Sequence, residues 1–263
     1  MLQQIKNVVG DAPILGVALK KVYRSIKGIY LQILYYGKAR FCPVCGKSSS
    51  RFRKFGLVPR EDAECAHCLA LERHRLFWLF VTRRTSLFDG KPKKMLHVAP
   101  ERCFESKFKQ LLGDRYLTAD LLDPRAMVKM DITNIGYPDK SFDVIYCSHV
   151  LEHVPDDRKA MREFYRTLKC DGWAILLVPI TAKETFEGSS IADPEERLRL
   201  FGQEDHVRRY GPDYADRLKE AGFSVEIIRV NDLAQHDEAV RMGLTPISGE
   251  IYYCTKQCVG VSP

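Results

Sequence analysis

Four cysteines stand in two close pairs, Cys42-Pro43-Val44-Cys45 and Cys65-Ala66-His67-Cys68, with nineteen residues between them. Each pair lets two thiolates bite one metal ion from a tight turn, and two such turns complete the tetrahedron of a structural zinc site. Gly46 follows the first pair, where such a turn often needs positive φ. A redox dithiol would need only one pair. With four ligands the shell is closed, so Cys42, Cys45, Cys65 and Cys68 are expected to hold a structural zinc. The metal would stabilise a segment too short to make its own core. His67 lies inside the second turn and is expected to be a bystander.

The elements that must position further chemistry can be read from periodicity. Leu15, Leu19, Val22, Ile26, Ile29 and Ile33 recur at helical spacing, which predicts an amphipathic helix over residues 14–36 with a basic opposite face. Such a helix packs on its own protein or lies on an anionic membrane. Lys20, Lys21, Arg24 and Lys27 argue against a spanning segment. Leu69–Arg84 reads as a helix, and residues 91–94 as a basic linker. Strands are expected at Met95–Val98, Tyr116–Ala119, Phe142–Cys147, Trp173–Val178, Phe223–Val230 and Glu250–Thr255, with a weaker one near Met127–Met130. Helices are expected between them, notably Asp157–Leu168 and Pro212–Ala221. Alternating strands and helices predict a parallel α/β sheet covered on both faces. The expected division is a basic N-terminal helix over 1–40, a zinc ribbon and following helix over 41–90, and a catalytic domain over 91–263.

Several motifs follow in order from Met95. They are Met95-Leu96-His97-Val98-Ala99-Pro100-Glu101, Leu117-Thr118-Ala119-Asp120-Leu121, Asp131-Ile132, and the run Asp139-Lys140-Ser141-Phe142-Asp143-Val144-Ile145-Tyr146-Cys147-Ser148-His149-Val150-Leu151-Glu152-His153-Val154. Leu168-Lys169-Cys170-Asp171-Gly172-Trp173, His206-Val207-Arg208-Arg209-Tyr210 and Ala221-Gly222-Phe223 complete the series. In this order the stretch resembles a class I S-adenosylmethionine-dependent methyltransferase, with its Rossmann-like sheet. The front end, including Leu71-Glu72-Arg73-His74-Arg75, resembles the zinc ribbon attached to some bacterial members.

The resemblance implies a cofactor site at the strand ends. His97 replaces the acid that usually ends the first strand, Ala99 the first glycine and Glu101 the second, with Pro100 between. Glu101 is expected to bind the cofactor's ammonium in place of the missing acid. Asp120, with Leu121, is expected to take the ribose hydroxyls. Asp131 is expected at the adenine amino group and Ile132 against the ring, with Ser148, His149 and His153 completing the pocket. His149 and His206 are the candidates for taking an acceptor proton, because histidine titrates near neutral pH. Residues 181–202 are polar, interrupted by Pro194, and long enough to form a substrate lid.

Residues 1–41 carry seven Lys/Arg against one Asp, and residues 42–94 carry twelve against five acids. The chain's net charge is +7, so a basic front precedes an acidic body. Cysteine pairing of this kind fits a reducing compartment, and the protein is expected to be cytoplasmic or peripheral to a membrane. Tyr146-Cys147-Ser148-His149 lacks the two prolines that methyltransferases of base amines carry after the fourth strand. The expected activity is O-methylation of a small molecule or of a saccharide or glycan precursor. Two alternatives stay open: an RNA methyltransferase gripping phosphate with its ribbon and basic front, or a non-catalytic adaptor with a degenerate cofactor site.

Overall fold

The computed structural model describes residues 30, 31, 33–56, 58–188 and 190–256. The helix expected over 14–36, with its membrane contact, lies largely outside them. Two small hairpins come first: β1 (Arg40–Cys42) with β2 (Lys47–Ser49), and β3 (Arg53–Phe55) with β4 (Arg60–Glu64). Helix α1 (Glu72–Arg84) follows, and its first turn is tied by the Leu71 N–H donating to His74 Nδ1 at 3.1 Å.

The main sheet opens with β5 (Met95–Val98), α2 (Arg102–Leu112), β6 (Tyr116–Asp120), the short β7 (Val128–Lys129) and β8 (Phe142–Ser148). Helix α3 (Asp157–Thr167) starts where the Asp156 side chain accepts from the Lys159 N–H, as an N-cap should. It leads into β9 (Leu168–Leu177). Next come β10 (Phe186–Glu187), α4 (Pro194–Phe201), β11 (Arg208–Arg209) and α5 (Tyr214–Glu220). The chain finishes with β12 (Ser224–Ile228), α6 (Val230–Leu233), α7 (His236–Arg241) and β13 (Ile251–Thr255).

Seven strands form one sheet in the order β12-β13-β9-β8-β5-β6-β7. Strands β5 to β9 run parallel, and β13 lies antiparallel between β9 and β12. Successive side chains of a strand point to opposite faces. Val144 and Tyr146 therefore join one core with Phe77 and Phe80 of α1 and Phe104 and Phe108 of α2. Ile145 and Cys147 join the other with Met161 and Phe164 of α3 and Leu218 of α5. The ribbon belongs to the first core, through Cys42, Val44, Phe52 and Cys65.

The stretch Leu168–Trp173 is strand: Phe142 pairs with Leu168 and Val144 with Trp173, a register shift that absorbs the extra residues. A Cβ on Gly172 would lie 2.8 Å from the Asp143 carbonyl oxygen, so the close approach there requires glycine. Pro194 does not interrupt the segment over 181–202 but starts α4, where its missing N–H costs nothing.

Candidate active site

The chain crosses from one side of the sheet to the other after β7, so the strand order reverses between β5 and β8. Open α/β sheets bind ligands at such a point, beyond the carboxyl ends of the strands. Two non-glycine residues with positive φ flank it: Ala99 (49°) after β5 and His149 (55°) after β8. Both turns are anchored, by the Ala99 N–H to the Ala119 carbonyl at 2.9 Å and the His149 N–H to the Leu177 carbonyl at 2.8 Å.

His97 is fully buried in β5. Its Nδ1 lies 2.8 Å from the Tyr116 hydroxyl and its Nε2 lies 2.6 Å from Glu101 Oε2. The Tyr146 hydroxyl donates to Glu101 Oε1 at 3.1 Å, and Phe77 stacks on the Tyr146 ring at 3.9 Å. Both ring nitrogens of His97 are thus committed, and its place is behind Glu101. Burial alone would raise the Glu101 pKa, but the His97 hydrogen bond and neighbouring positive charge bring it down to about 2. A carboxylate stands at this strand end even though the strand itself supplies none.

A residue not anticipated as part of this site also reaches Glu101. His74, on α1, places Nε2 3.6 Å from Glu101 Oε1, and that nitrogen is buried without a hydrogen-bond partner. Burial lowers the His74 pKa to about 3. No spacing in the sequence announces this contact, because it depends on how α1 docks against β5 and α2.

On the adenosine side, Asp120 ends β6. Its Oδ1 accepts the N–H groups of Leu122 and Asp123, each at 2.7 Å, and its Oδ2 accepts no hydrogen bond among the described residues. Leu121 is half exposed beside it. Asp131 is exposed, with Oδ1 accepting the Thr133 N–H and hydroxyl, each at 2.8 Å. Ile132 is turned into the second core. Pro100 is partly buried.

The other end of the crevice gathers the remaining candidates. Ser148 is buried. His149 Nδ1 lies 3.4 Å from Oε1 of the buried Glu152. The His153 and His206 rings meet edge to face at 4.6 Å. Burial, and then the neighbouring His153, lower the His206 pKa. Cys147 is fully buried, and burial raises its thiol pKa well above the ordinary value.

His206 reaches His153 because Arg208 fastens its segment down. The buried Arg208 guanidinium donates to the carbonyls of Leu151 at 2.6 Å, Val154, and Pro155 at 2.8 Å. The Val207 N–H adds a bond to the Glu152 carbonyl at 2.9 Å. Asp157 balances the charge, accepting from the Tyr210 hydroxyl at 2.6 Å and from Arg217 at 3.2 Å.

The four paired cysteines converge far from this crevice in sequence but on the same first core. Cys42 and Cys68 sulfurs are 3.6 Å apart, Cys45 and Cys65 sulfurs 3.8 Å, and all four lie within 4.8 Å of one another. A tetrahedron with metal–sulfur bonds of about 2.3 Å has edges of about 3.8 Å. Both turns close alike: the Gly46 N–H bonds the Cys42 carbonyl at 2.8 Å and the Leu69 N–H bonds the Cys65 carbonyl at 3.0 Å. Gly46 (70°) and Leu69 (64°) both take positive φ, so the second turn adopts without glycine the form that the first takes with it. A hydrogen bond to Cys45 pushes the Cys42 pKa up, while hydrogen bonds to Cys42 push Cys68 up and Cys45 and Cys65 down. Four thiols this close ionise together only around a cation.

Residues 93–176, which hold both sides of the switch point, match the family described as methyltransferase domain. This stretch is similar to methyltransferase domains. The chain is also similar to an uncharacterised methyltransferase, YcgJ, of Bacillus subtilis, 34% identical over 125 residues, 44% of this chain and 46% of that protein. A 27-O-demethylrifamycin SV methyltransferase of Amycolatopsis mediterranei is 30% identical over 128 residues, 47% of this chain and 44% of that protein. The chain spans about half the length of these curated relatives. Among solved structures, a Burkholderia thailandensis 1,6-didemethyltoxoflavin-N1-methyltransferase overlays with a TM-score of 0.46 at 15% identity, over 66% of this chain and 75% of that one.

Proposed function

We propose that the chain uses S-adenosylmethionine to methylate a hydroxyl oxygen of a small molecule or of a saccharide precursor. The observation that carries this reading is the furnishing of the crevice between β5 and β8. One end holds a low-pKa carboxylate, Glu101, and a second acid, Asp120; the other holds the His149–Glu152 pair.

When bound, the cofactor supplies an electrophilic methyl group on a sulfonium. Asp120 Oδ2 would take the ribose hydroxyls, Glu101 the ammonium and Asp131 the adenine amino group. His97 holds Glu101 in place and does not itself touch the ligand. His149 would accept the acceptor's proton, with Glu152 orienting the ring and stabilising its charged form. His206 lines the same end. A hydroxyl benefits from such a base more than an amine does, which favours an oxygen acceptor. The relative named for demethylrifamycin SV supports a small-molecule acceptor. The sulfur geometry fits zinc at Cys42, Cys45, Cys65 and Cys68, with the closed shell of a structural metal.

Calorimetric titration of S-adenosylhomocysteine into the zinc-loaded protein tests the cofactor site. Micromolar binding that Asp120→Ala abolishes is expected. A well-folded protein that takes up no ligand would overturn the enzymatic reading and leave a non-catalytic adaptor.

A further inference from the structure

A second group of potential metal ligands stands apart from the four cysteines. Glu152, His153 and His206 each bring a ligand atom within 4.8 Å of the others. They come from two segments, the turn after β8 and the approach to β11, which Arg208 holds together.

The state of each side chain points to an ion. Glu152 is 1% exposed; Oε1 faces His149, and Oε2 is buried with no hydrogen-bond partner among the described residues. An unpaired buried carboxylate oxygen is costly, and native structures keep one where something binds. His153 Nδ1 lies 3.1 Å from Asp205 Oδ2. A ring proton on Nδ1 would satisfy that contact and leave Nε2 for a metal, the carboxylate–imidazole arrangement that orients metal-bound histidines. His206 is buried against the His153 ring. Two imidazoles and one carboxylate suit a divalent ion of the manganese-to-zinc series, and three protein ligands leave positions open.

We propose that Glu152, His153 and His206 bind one divalent transition-metal ion, whose open positions take oxygen donors of the acceptor. The binding itself is independent of the methyl-transfer reading, and only the role toward the acceptor rests on it. The chemical class favoured is an acceptor with two adjacent oxygens, such as a vicinal diol, because such a pair fills two neighbouring positions. His206 is then a ligand, which leaves His149 as the proton acceptor.

The test is cobalt(II) added to the full chain with its cysteine site already filled by zinc, followed by absorption and by metal counting after gel filtration. One extra equivalent per chain is expected, with a d–d spectrum free of sulfur-to-cobalt charge transfer. His206→Ala and His153→Gln should each lose that equivalent and keep the zinc. His153 is partly exposed, so its replacement leaves the packing in place even if the buried His206 variant unfolds. Wild-type protein that retains zinc alone, or a His153→Gln variant that binds cobalt undiminished, would overturn the proposal. Cobalt binding in protein that ignores S-adenosylhomocysteine would defeat the methyl-transfer reading and leave the metal site standing.

Discussion

Glu101 and His74 show how burial and neighbouring charge set the acid–base behaviour of this site. His74 is held neutral by burial, with a folded-state pKa near 3, while the unfolded chain protonates it at the ordinary 6.5. A depressed value means that the unfolded state binds the proton first. Stability contributed by neutral His74 is therefore full above about pH 6.5 and falls as the pH drops toward 3; at about pH 5 the loss is about 2 kcal/mol. His74→Asn removes the titration and keeps an acceptor for the Leu71 N–H. Its urea midpoint should fall less than the wild-type midpoint between about pH 7 and about pH 5, and equal falls would show that His74 charges freely in the fold. Asp120 was legible as a candidate because it follows an expected strand, and Glu101 through the family resemblance of the turn after Val98. The clamp of His97, Tyr116 and Tyr146 around Glu101 was not, since those four residues come from three strands and the turn after β5.

At the scale of elements, the ribbon and the β10–β11 segment make opposite cases. The two cysteine turns are local objects, and the C-x2-C spacing announces both of them. Leu69 shows how firmly the turn is imposed, because a leucine takes the left-handed conformation that glycine usually fills. Replacing Cys65 by Ser should release the zinc and unfold the two hairpins, since metal binding and folding are one equilibrium in so small a unit. Zinc counting together with amide exchange over residues 40–68 checks this; retained zinc with unchanged protection would refute it. The segment over 181–210 reads in sequence as a polar lid over 181–202 followed by the motif His206–Tyr210. Its shape depends on Arg208 and Arg217 meeting Asp157 from another part of the chain. Charged residues in such a run look solvent-exposed until their partners are known.

The same lesson recurs for the whole molecule. The basic front suggested an anionic partner, but among the described residues much of that charge is paired within the protein. Arg40 meets Asp62, Arg53 meets Glu64, Arg60 meets Glu72 and Arg83 meets Glu238. Arg75 is fully buried between the cysteine-bearing hairpins and the segment after α7. It donates to the carbonyls of Ala63 and Ala70, each at 2.9 Å, on one side, and to Met242 at 2.6 Å and Gly243 at 3.1 Å on the other. Its guanidinium also stacks 4.1 Å over Phe52. A lysine cannot reproduce that fork. Arg75→Lys should leave several buried carbonyls without donors and cost about 3 kcal/mol in urea unfolding. A loss below about 1 kcal/mol would show that the two parts do not depend on this residue.

What the sequence by itself determined are the features that are local or periodic: the two cysteine turns and the order and type of the sheet elements. Chain spacing and side-chain alternation carry that information directly. Only the tertiary structure decided which charges are buried and paired, that His74 reaches Glu101 from the ribbon's helix, and that Glu152, His153 and His206 converge. Those contacts join residues far apart in the chain, and their chemistry follows from burial, which no single segment specifies.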